Sequence, residues 1–464
     1  MSGSRLPLCF LVGLVAGIAE ADAIDDYVRA EAQKRGIPGM AIAIVRNGKI
    51  SKAQGYGYAN LELRVPARPE TVFQTGSVGK PFTATAIMLL VEQGRLALDD
   101  SIAPLLPGAP GSWKAITVRH LLSHTSGIPN YTSGKVDYRR DYSEGDLVRL
   151  AATFPLEFEP GSSWSYSNTG YVLLGAIIRS VTGKFYGDFL SERVFQPLEM
   201  RATRVISESD IVPNRASGYR MVRGQVKNQD WVSPSLNTTA DGSLHTTVLD
   251  LAKWDIALAK GGVVKPNTLE RMWAPIQTKR RAGDPNQGER YGLGWAISQQ
   301  NGRRRIEHGG AWQGFSAHIA KYPDDKLTVI VMCNLAGAAP GSMAHAIAGL
   351  AVPALKAKTP KTRPDPDPSV GSLLKSVLAE LAAGKPKASR FSAELGSLLA
   401  KNAAATAREL TEMGALKSLE FLSAKPCLGG REFVYLARFE VGTLRLTATL
   451  DSNRVIVGLL MAPE

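Results

Sequence analysis

The sequence predicts an α+β protein, in which an antiparallel sheet flanked by helices carries a helical insertion and a small C-terminal α+β domain follows. Three observations predict it. Strand patterns lie near both ends of residues 24–357, helical patterns with Gly- and Pro-rich loops lie between them, and a proline-rich stretch precedes further helices and strands. A chain of 464 residues is long enough for two domains.

The predicted first domain opens with a helix and a hairpin. Apolar residues recur at helical spacing over Ile24–Gly36. The strand-like runs Met40–Val45 and Ser51–Tyr58 flank Asn47-Gly48, a strong short-range hairpin signal. Lys80–Gln93 is largely apolar and predicts a buried helix.

Strand patterns return after the insertion, and a helix of small residues closes the domain. The predicted strands are Tyr291–Ile297, Arg303–His308, Phe315–Tyr322 and Leu327–Cys333, and the predicted helix is Ser342–Leu355. Strands at both ends of the domain indicate one antiparallel sheet that both ends complete.

Residues 358–369 contain four prolines among charged residues, which predicts a stiff linker. Residues 370–464 then predict a small α+β domain. Its predicted helices are Val370–Ala383 and Ala393–Met413, and its predicted strands are Ser418–Leu422, Glu432–Glu440, Thr443–Leu450 and Val455–Met461.

Residues 1–23 have the pattern of a cleavable secretory signal. A single Arg5 precedes the apolar run Leu6–Ile18, and small residues follow up to Ala23. A membrane anchor is the alternative, but the run falls short of the roughly 20 residues that span a bilayer. We expect a periplasmic or secreted protein with no stable membrane span after signal cleavage.

Composition argues against several other classes of function. The net charge is +13, but the basic residues are scattered and lack interleaved aromatic residues, so we expect no nucleic-acid partner. No Cys/His cluster has the spacing of a metal site, and we expect no metal and no cofactor. The expected partner is a small-molecule or peptide substrate, and the oligomeric state stays open.

Ser77-Val78-Gly79-Lys80 is an S-x-x-K motif at the start of the predicted buried helix. Near a helix start, Ser77 and Lys80 lie one turn apart on one face. A serine hydroxyl becomes a good nucleophile when a neighbouring base, such as a lysine neutralised by burial, removes its proton. Taken alone, the motif is a weak signal, and a structural serine N-cap is the favoured alternative.

Tyr166 and Asn168 lie in a turn-rich loop before another apolar helix. A tyrosine there can relay protons, and a nearby cation would lower its pKa. The amide of Asn168 can donate to a substrate carbonyl, or it can cap the helix. Tyr166 packed beneath the loop is the structural alternative.

The third candidate segment is His308-Gly309-Gly310-Ala311, predicted to follow a strand end. Two glycines would let the backbone approach a ligand closely, and a bulge or turn is the alternative. The Ala311 and Ser77 N–H groups could form an oxyanion hole. His245, His318 and His345 stand alone in the sequence, which predicts structural roles for them.

The ordered set of S-x-x-K, Y-x-N and H-x-G resembles the β-lactamase-related serine hydrolases, the group of class C β-lactamases, D,D-carboxypeptidases, D-aminopeptidases and esterases. The resemblance covers roughly residues 24–355. Four further segments match the family pattern: Leu121–Ile128, Gly242–Leu251, Tyr291–Trp295 and Gly314-Phe315. The resemblance implies a β-lactamase/transpeptidase-like fold.

The resemblance implies that Ser77 becomes acylated and that Lys80 and Tyr166 act together as the general base. Tyr166 would also protonate the leaving group. Asn168 would orient the substrate. His308 stands where the lactamases keep a lysine that holds a β-lactam carboxylate, so efficient β-lactam hydrolysis is not expected. Asp241 is a second departure, because relatives often have small residues there.

The expected function is hydrolysis of an amide or ester bond through an acyl-serine, on a D-amino-acid peptide, a cell-wall fragment, a small ester or a β-lactam. The alternative is a catalytically weak penicillin-binding or sensor protein that works through its C-terminal domain.

Overall fold

The computed structural model describes residues 23–132, 136–206, 210–278, 290–357, 361–427, 429–440 and 442–463. The predicted signal lies outside these residues except for Ala23. Within them, no helix combines the length and the apolarity needed to cross a membrane. They form two compact units, one up to residue 357 and one from residue 361. The predicted α+β class is confirmed.

The first unit contains helices α1 to α9 and strands β1 to β13. The helices are α1 (23–34), α2 (Lys80–Glu92), α3 (Val118–Leu122), α4 (Glu144–Ala152), α5 (Asn168–Thr182), α6 (Tyr186–Leu190), α7 (Val248–Ala259), α8 (Pro266–Met272) and α9 (Pro340–Ala351). The strands are β1 (Gly39–Arg46), β2 (Lys49–Asn60), β3 (Val65–Pro66), β4 (Phe73–Gln74), β5 (Arg204–Val205), β6 (Tyr219–Val222), β7 (Gln225–Asn228), β8 (Leu244–Thr246), β9 (Arg290–Tyr291), β10 (Ala296–Gln300), β11 (Arg303–Trp312), β12 (Phe315–Tyr322) and β13 (Leu327–Cys333).

The main sheet has eight strands in the order β3-β2-β1-β13-β12-β11-β10-β9. Strand β1 pairs antiparallel with β13, so the two ends of the unit complete one sheet, as predicted. Residues of β1 alternate between two buried faces: Ala41 and Ala43 lie in one apolar cluster with α2 and α7, and Met40 and Ile42 in another with α1 and α9. Because both faces of β1 are buried, its sequence is a continuous apolar run rather than an alternation of apolar and polar residues.

Three predicted boundaries were wrong for local reasons. The stretch 291–297 is two strands, because Gly294 has a positive φ of 83° and Gly292 N–H bonds to Trp295 O at 2.8 Å, which closes a turn. Strand β11 does not end at His308 but continues to Trp312, paired with β12. The predicted helix Ala393–Met413 is interrupted at Asn402, whose side-chain amide bonds to Leu398 O.

The second unit is a four-stranded antiparallel sheet in the order β14-β15-β16-β17, with three helices packed against it in one apolar cluster. Its elements are α10 (Pro368–Ala382), α11 (Ala393–Lys401), α12 (Ala403–Glu412), β14 (Leu416–Cys427), β15 (Gly430–Phe439), β16 (Thr443–Leu450) and β17 (Ile456–Pro463). Within the predicted linker, Arg363 N–H bonds to Phe421 O at 3.0 Å and Asp365 accepts from the Tyr435 hydroxyl at 2.8 Å. This part of the linker therefore packs on the C-terminal sheet.

A buried ion pair joins helix α7 to the main sheet. Asp255 on α7 bonds to Lys321 on β12, and the two side chains are only 4% and 5% exposed. Thr328 on β13 donates to the same carboxylate at 3.0 Å. Removing one partner of such a pair leaves an uncompensated buried charge, which is strongly destabilising.

We therefore expect Asp255→Asn to lower the free energy of unfolding of the first unit by about 3–5 kcal/mol. Asp99→Asn, which breaks an exposed pair with Arg119, should cost less than about 1 kcal/mol. Urea denaturation followed by tryptophan fluorescence measures the stability of both variants. The signal reports on the first unit, because all seven tryptophans lie in it. Equal midpoints for the two variants would contradict the assignment.

Candidate active site

Ser77 lies in a tight turn between strand β4 and helix α2. Residues Gly76–Gly79 form a 3₁₀ turn, and the α-helix begins at Lys80 rather than near Val78. Pro81 fits the first helical turn, where no N–H partner is needed. Ser77 is partly exposed, whereas the Lys80 side chain that follows on the same face is fully buried.

The Lys80 amine lies among three acceptors. Its Nζ is 3.0 Å from Ser77 Oγ, 2.6 Å from Asn168 Oδ1 and 2.5 Å from the Asp241 carbonyl oxygen. An ammonium has three donors and satisfies all three contacts. Once one proton is lost, a lone pair must face one neighbour, and of these three only the Ser77 hydroxyl can donate to it. The geometry therefore suits proton transfer from Ser77 to Lys80.

The pKa values of the two ionisable groups beside Ser77, Lys80 and Tyr166, are shifted in opposite directions. Burial lowers the pKa of Lys80 to about 8, against the opposing effect of the Asp241 carboxylate. Burial raises the pKa of the Tyr166 phenol well above its usual range, although Tyr166 also hydrogen-bonds to Ser77. The lowered Tyr166 pKa expected from a nearby cation is therefore wrong, because burial sets the direction of the shift. Lys80 suits a base, and Tyr166 suits a proton donor.

His124 holds the Tyr166 loop in place, a role that the sequence analysis missed. Its ring lies 4.3 Å from the Tyr166 ring, and its Nδ1 accepts from Ser167 N–H at 3.2 Å. Burial, and then the charge of Lys80, lower the pKa of His124 well below its usual value, so the ring is neutral. The motif Leu121–Ile128 was the available signal. Ser167, not Asn168, caps helix α5.

The middle of strand β11 passes directly beside the Ser77 turn. A Cβ added at Gly310 would lie 2.0 Å from Thr75 O and 2.8 Å from Ser77 N, so only glycine permits this approach. Gly76 has a φ of 52°, and a Cβ there would lie 2.5 Å from Ala311 N. The two glycines therefore lie within a strand rather than after one, and they allow it to approach the Ser77 turn. Their approach to a ligand stays a prediction.

His308 is neutral and held in one tautomer. Its Nδ1 lies 2.6 Å from Gly309 O, which can only accept, so Nδ1 carries the proton. Its Nε2 then accepts from the Tyr291 hydroxyl at 2.8 Å. Burial, and then repulsion from the Lys80 ammonium, lower the pKa of His308 to about 3. His308 therefore carries no charge at neutral pH.

His318 and His345 do not stand alone, contrary to the sequence-based expectation. Both Nε2 atoms contact one oxygen of Glu307, at 3.0 and 2.6 Å. Although burial opposes it, the two histidines and Arg305 hold the pKa of Glu307 below its usual range. The three ligand-type atoms lie within 4.8 Å of one another, but Arg305 already pairs with the same carboxylate at 2.8 Å. The cluster braces strand β11 beside His308.

Ser77 lies at the junction of two cavities. The larger, of about 530 Å³, is mostly apolar and is lined by Tyr166 and His308 as well as Ser77. Among the residues that the structure describes, its lining includes no lysine or arginine. The smaller, of about 30 Å³, is lined by Asn168 and Asp241 with Ser77.

The chain is similar to proteins of known family. Residues 24–352 match the protein family described as Beta-lactamase. A penicillin-binding protein of Bacillus subtilis (strain 168) is 31% identical over 316 residues, which cover 62% of this chain and 68% of that relative.

Two solved structures extend the comparison. The octameric penicillin-binding protein homologue from Pyrococcus abyssi is 25% identical, with a TM-score of 0.64 over 92% of this chain and 90% of its own. The D-amino acid amidase from Ochrobactrum anthropi SV3 complexed with L-phenylalanine amide is 27% identical, with a TM-score of 0.59 over 68% of this chain and 91% of its own.

The hydrogen bonds of His308 generate a testable prediction. We expect its imidazole to stay neutral, with the proton on Nδ1, between pH 5 and 8, because burial and Lys80 disfavour its charged form. Nitrogen-15 NMR of the histidine rings reports both the tautomer and the titration. Tyr291→Phe is the matched control and should shift only the Nε2 resonance. Titration of His308 near pH 6.5 would contradict the predicted neutral state.

Proposed function

The chain belongs to the β-lactamase-related family of serine hydrolases, and from this premise we propose that it hydrolyses amide or ester bonds through an acyl-serine at Ser77. The observation that carries the proposal is the Lys80 amine, buried and in contact with Ser77 Oγ at 3.0 Å. A buried amine with a pKa of about 8 is neutral often enough to act as a base.

In the proposed first step, neutral Lys80 takes the Ser77 proton while Ser77 Oγ bonds to the substrate carbonyl carbon. The carbonyl oxygen gains the negative charge and is bound by the N–H groups of Ser77 and Ala311. Support for this placement comes from Gly310 and Gly76, which bring the two backbone segments together.

In the second step the bond to the leaving group breaks, and the leaving atom takes the Tyr166 proton. Tyr166 suits this role because its phenol stays protonated at neutral pH and bonds to Ser77. Lys80 returns its proton to Tyr166. Water then attacks the acyl-serine with Lys80 again as base, which releases the acid and restores Ser77. Asn168, already fixed by Lys80, orients the substrate.

The proposed substrate is a D-amino-acid peptide, a cell-wall fragment or a small ester rather than a β-lactam. A β-lactam carries a carboxylate that needs a cation, and His308 is neutral with a pKa of about 3. The described lining of the larger cavity supplies no lysine or arginine in its place. The D-amino acid amidase among the similar structures supports an amide substrate.

We further propose that the enzyme acts after export, on the basis of the signal pattern in residues 1–23. The sensor alternative is less well supported, because Ser77, Lys80 and Tyr166 are all present and Ser77 is hydrogen-bonded to both of the others.

Reaction with a fluorophosphonate tests the proposed nucleophile. We expect one adduct on Ser77 by peptide mapping, and a loss of amide or ester hydrolysis of at least about 10³-fold in Ser77→Ala. Ser51→Ala, an exposed serine on strand β2, serves as the control and should keep both labelling and activity. A label elsewhere, or nitrocefin as the fastest substrate, would contradict the proposal.

The proposed base predicts a pH profile. Below pH 8 Lys80 is mostly protonated and cannot accept the Ser77 proton, so kcat/KM should fall as pH falls and reach half its plateau near pH 8. His308 stays neutral over pH 6–9 and should not shape the curve. Lys80→Ala should remove activity, whereas Lys34→Ala, an exposed lysine, should keep the profile. A flat profile over pH 6–9 would exclude Lys80 as the base.

A further inference from the structure

Asp241 has a buried carboxylate, and one of its two oxygens has no hydrogen-bond partner among the described residues. The residue is 6% exposed and lies between the 3₁₀ turn Pro234–Asn237 and strand β8. Its Oδ2 accepts from the Tyr131 hydroxyl at 2.9 Å, and its Oδ1 has no hydrogen-bond partner among the described residues. A buried carboxylate oxygen without a partner is costly, and such groups are usually paired.

Lys80 does not supply that partner. Its Nζ bonds to the backbone carbonyl of Asp241, and its other two contacts go to Ser77 and Asn168. All three donors of the ammonium are therefore used. The free carboxylate oxygen belongs to a residue that lines the smaller cavity together with Ser77.

In the proposed mechanism, the smaller cavity faces the acyl portion of the substrate. Tyr166, the proposed donor to the leaving group, lines the larger cavity, so the leaving group lies there and the acyl group lies across Ser77. The smaller cavity, of about 30 Å³, has room for a group the size of one or two waters. An ammonium group has this size and donates hydrogen bonds to carboxylates.

We propose that Asp241 binds the ammonium group of the substrate's acyl portion, so that the enzyme acts on amides and esters of amino acids and of peptides with a free N-terminus. This inference rests on the proposed acyl-serine function. It also links binding to chemistry, because a second cation beside Asp241 favours the neutral form of Lys80, the proposed base.

The test compares matched p-nitroanilides at pH 7: alanine p-nitroanilide as both enantiomers, its N-acetyl derivative, and propionyl p-nitroanilide, which lacks the amine. We expect kcat/KM of one alanine enantiomer to exceed that of the propionyl compound by about 10- to 100-fold, the range of a hydrogen bond to a charged group. Asp241→Asn and Asp241→Ala should reduce this ratio at least ten-fold. The control variant Asp250→Asn removes another buried carboxylate, which lies outside the cavity. It should leave the ratio of the two kcat/KM values unchanged.

The outcomes separate the two proposals. If Ser77 is labelled by a fluorophosphonate but the unaltered enzyme shows no preference for the free amine, the ammonium site is overturned and the hydrolase stands. An equal fall for all substrates in Asp241→Asn also overturns it, because the carboxylate then acts on Lys80 alone. Absence of any Ser77 label removes the hydrolase proposal, and the ammonium site with it.

Discussion

The arrangement of the site in the first unit depends on the burial of one amine, that of Lys80. Lys80 is the first residue of a helix that packs in the core, and its side chain has no contact with solvent. A buried amine must be neutral or surrounded by acceptors, since an unpaired buried charge is prohibitively costly. Its acceptors come from positions 3, 88 and 161 residues away along the chain. The amine therefore ties helix α2 to the start of α5 and to the segment before β8.

The same burial sets the chemistry of the neighbouring groups. Removal from water lowers the pKa of Lys80 and raises that of Tyr166, so one group can accept a proton where the other donates it. Environments that push two pKa values apart are a common basis for acid and base roles. The positive charge of Lys80 also adds to the burial that keeps His308 neutral. One side of Ser77 therefore faces a carboxylate, and the other faces an apolar cavity without an ionised histidine.

Local patterns predicted much of the fold. The hairpin at Asn47-Gly48 is present, with both residues at positive φ, because few other residues adopt that turn. Strands β12 and β13 have the predicted bounds, because long buried runs allow one register. The end of β11 was not predictable, since a pair of glycines lowers strand propensity and only pairing with β12 keeps Gly309 and Gly310 extended. His318 and His345 looked isolated because Glu307, which joins them, lies on another strand.

By itself, the sequence determined the α+β class, the family and the group of residues around Ser77, because ordered motifs with their flanks identify a site even when each motif alone is weak. Only the tertiary structure decided how those residues behave. The directions of the pKa shifts at Lys80 and Tyr166, and the free carboxylate oxygen of Asp241, depend on burial and on partners distant in the chain. Dielectric environment and hydrogen-bond partners arise from three-dimensional packing, and no local pattern of residues encodes them.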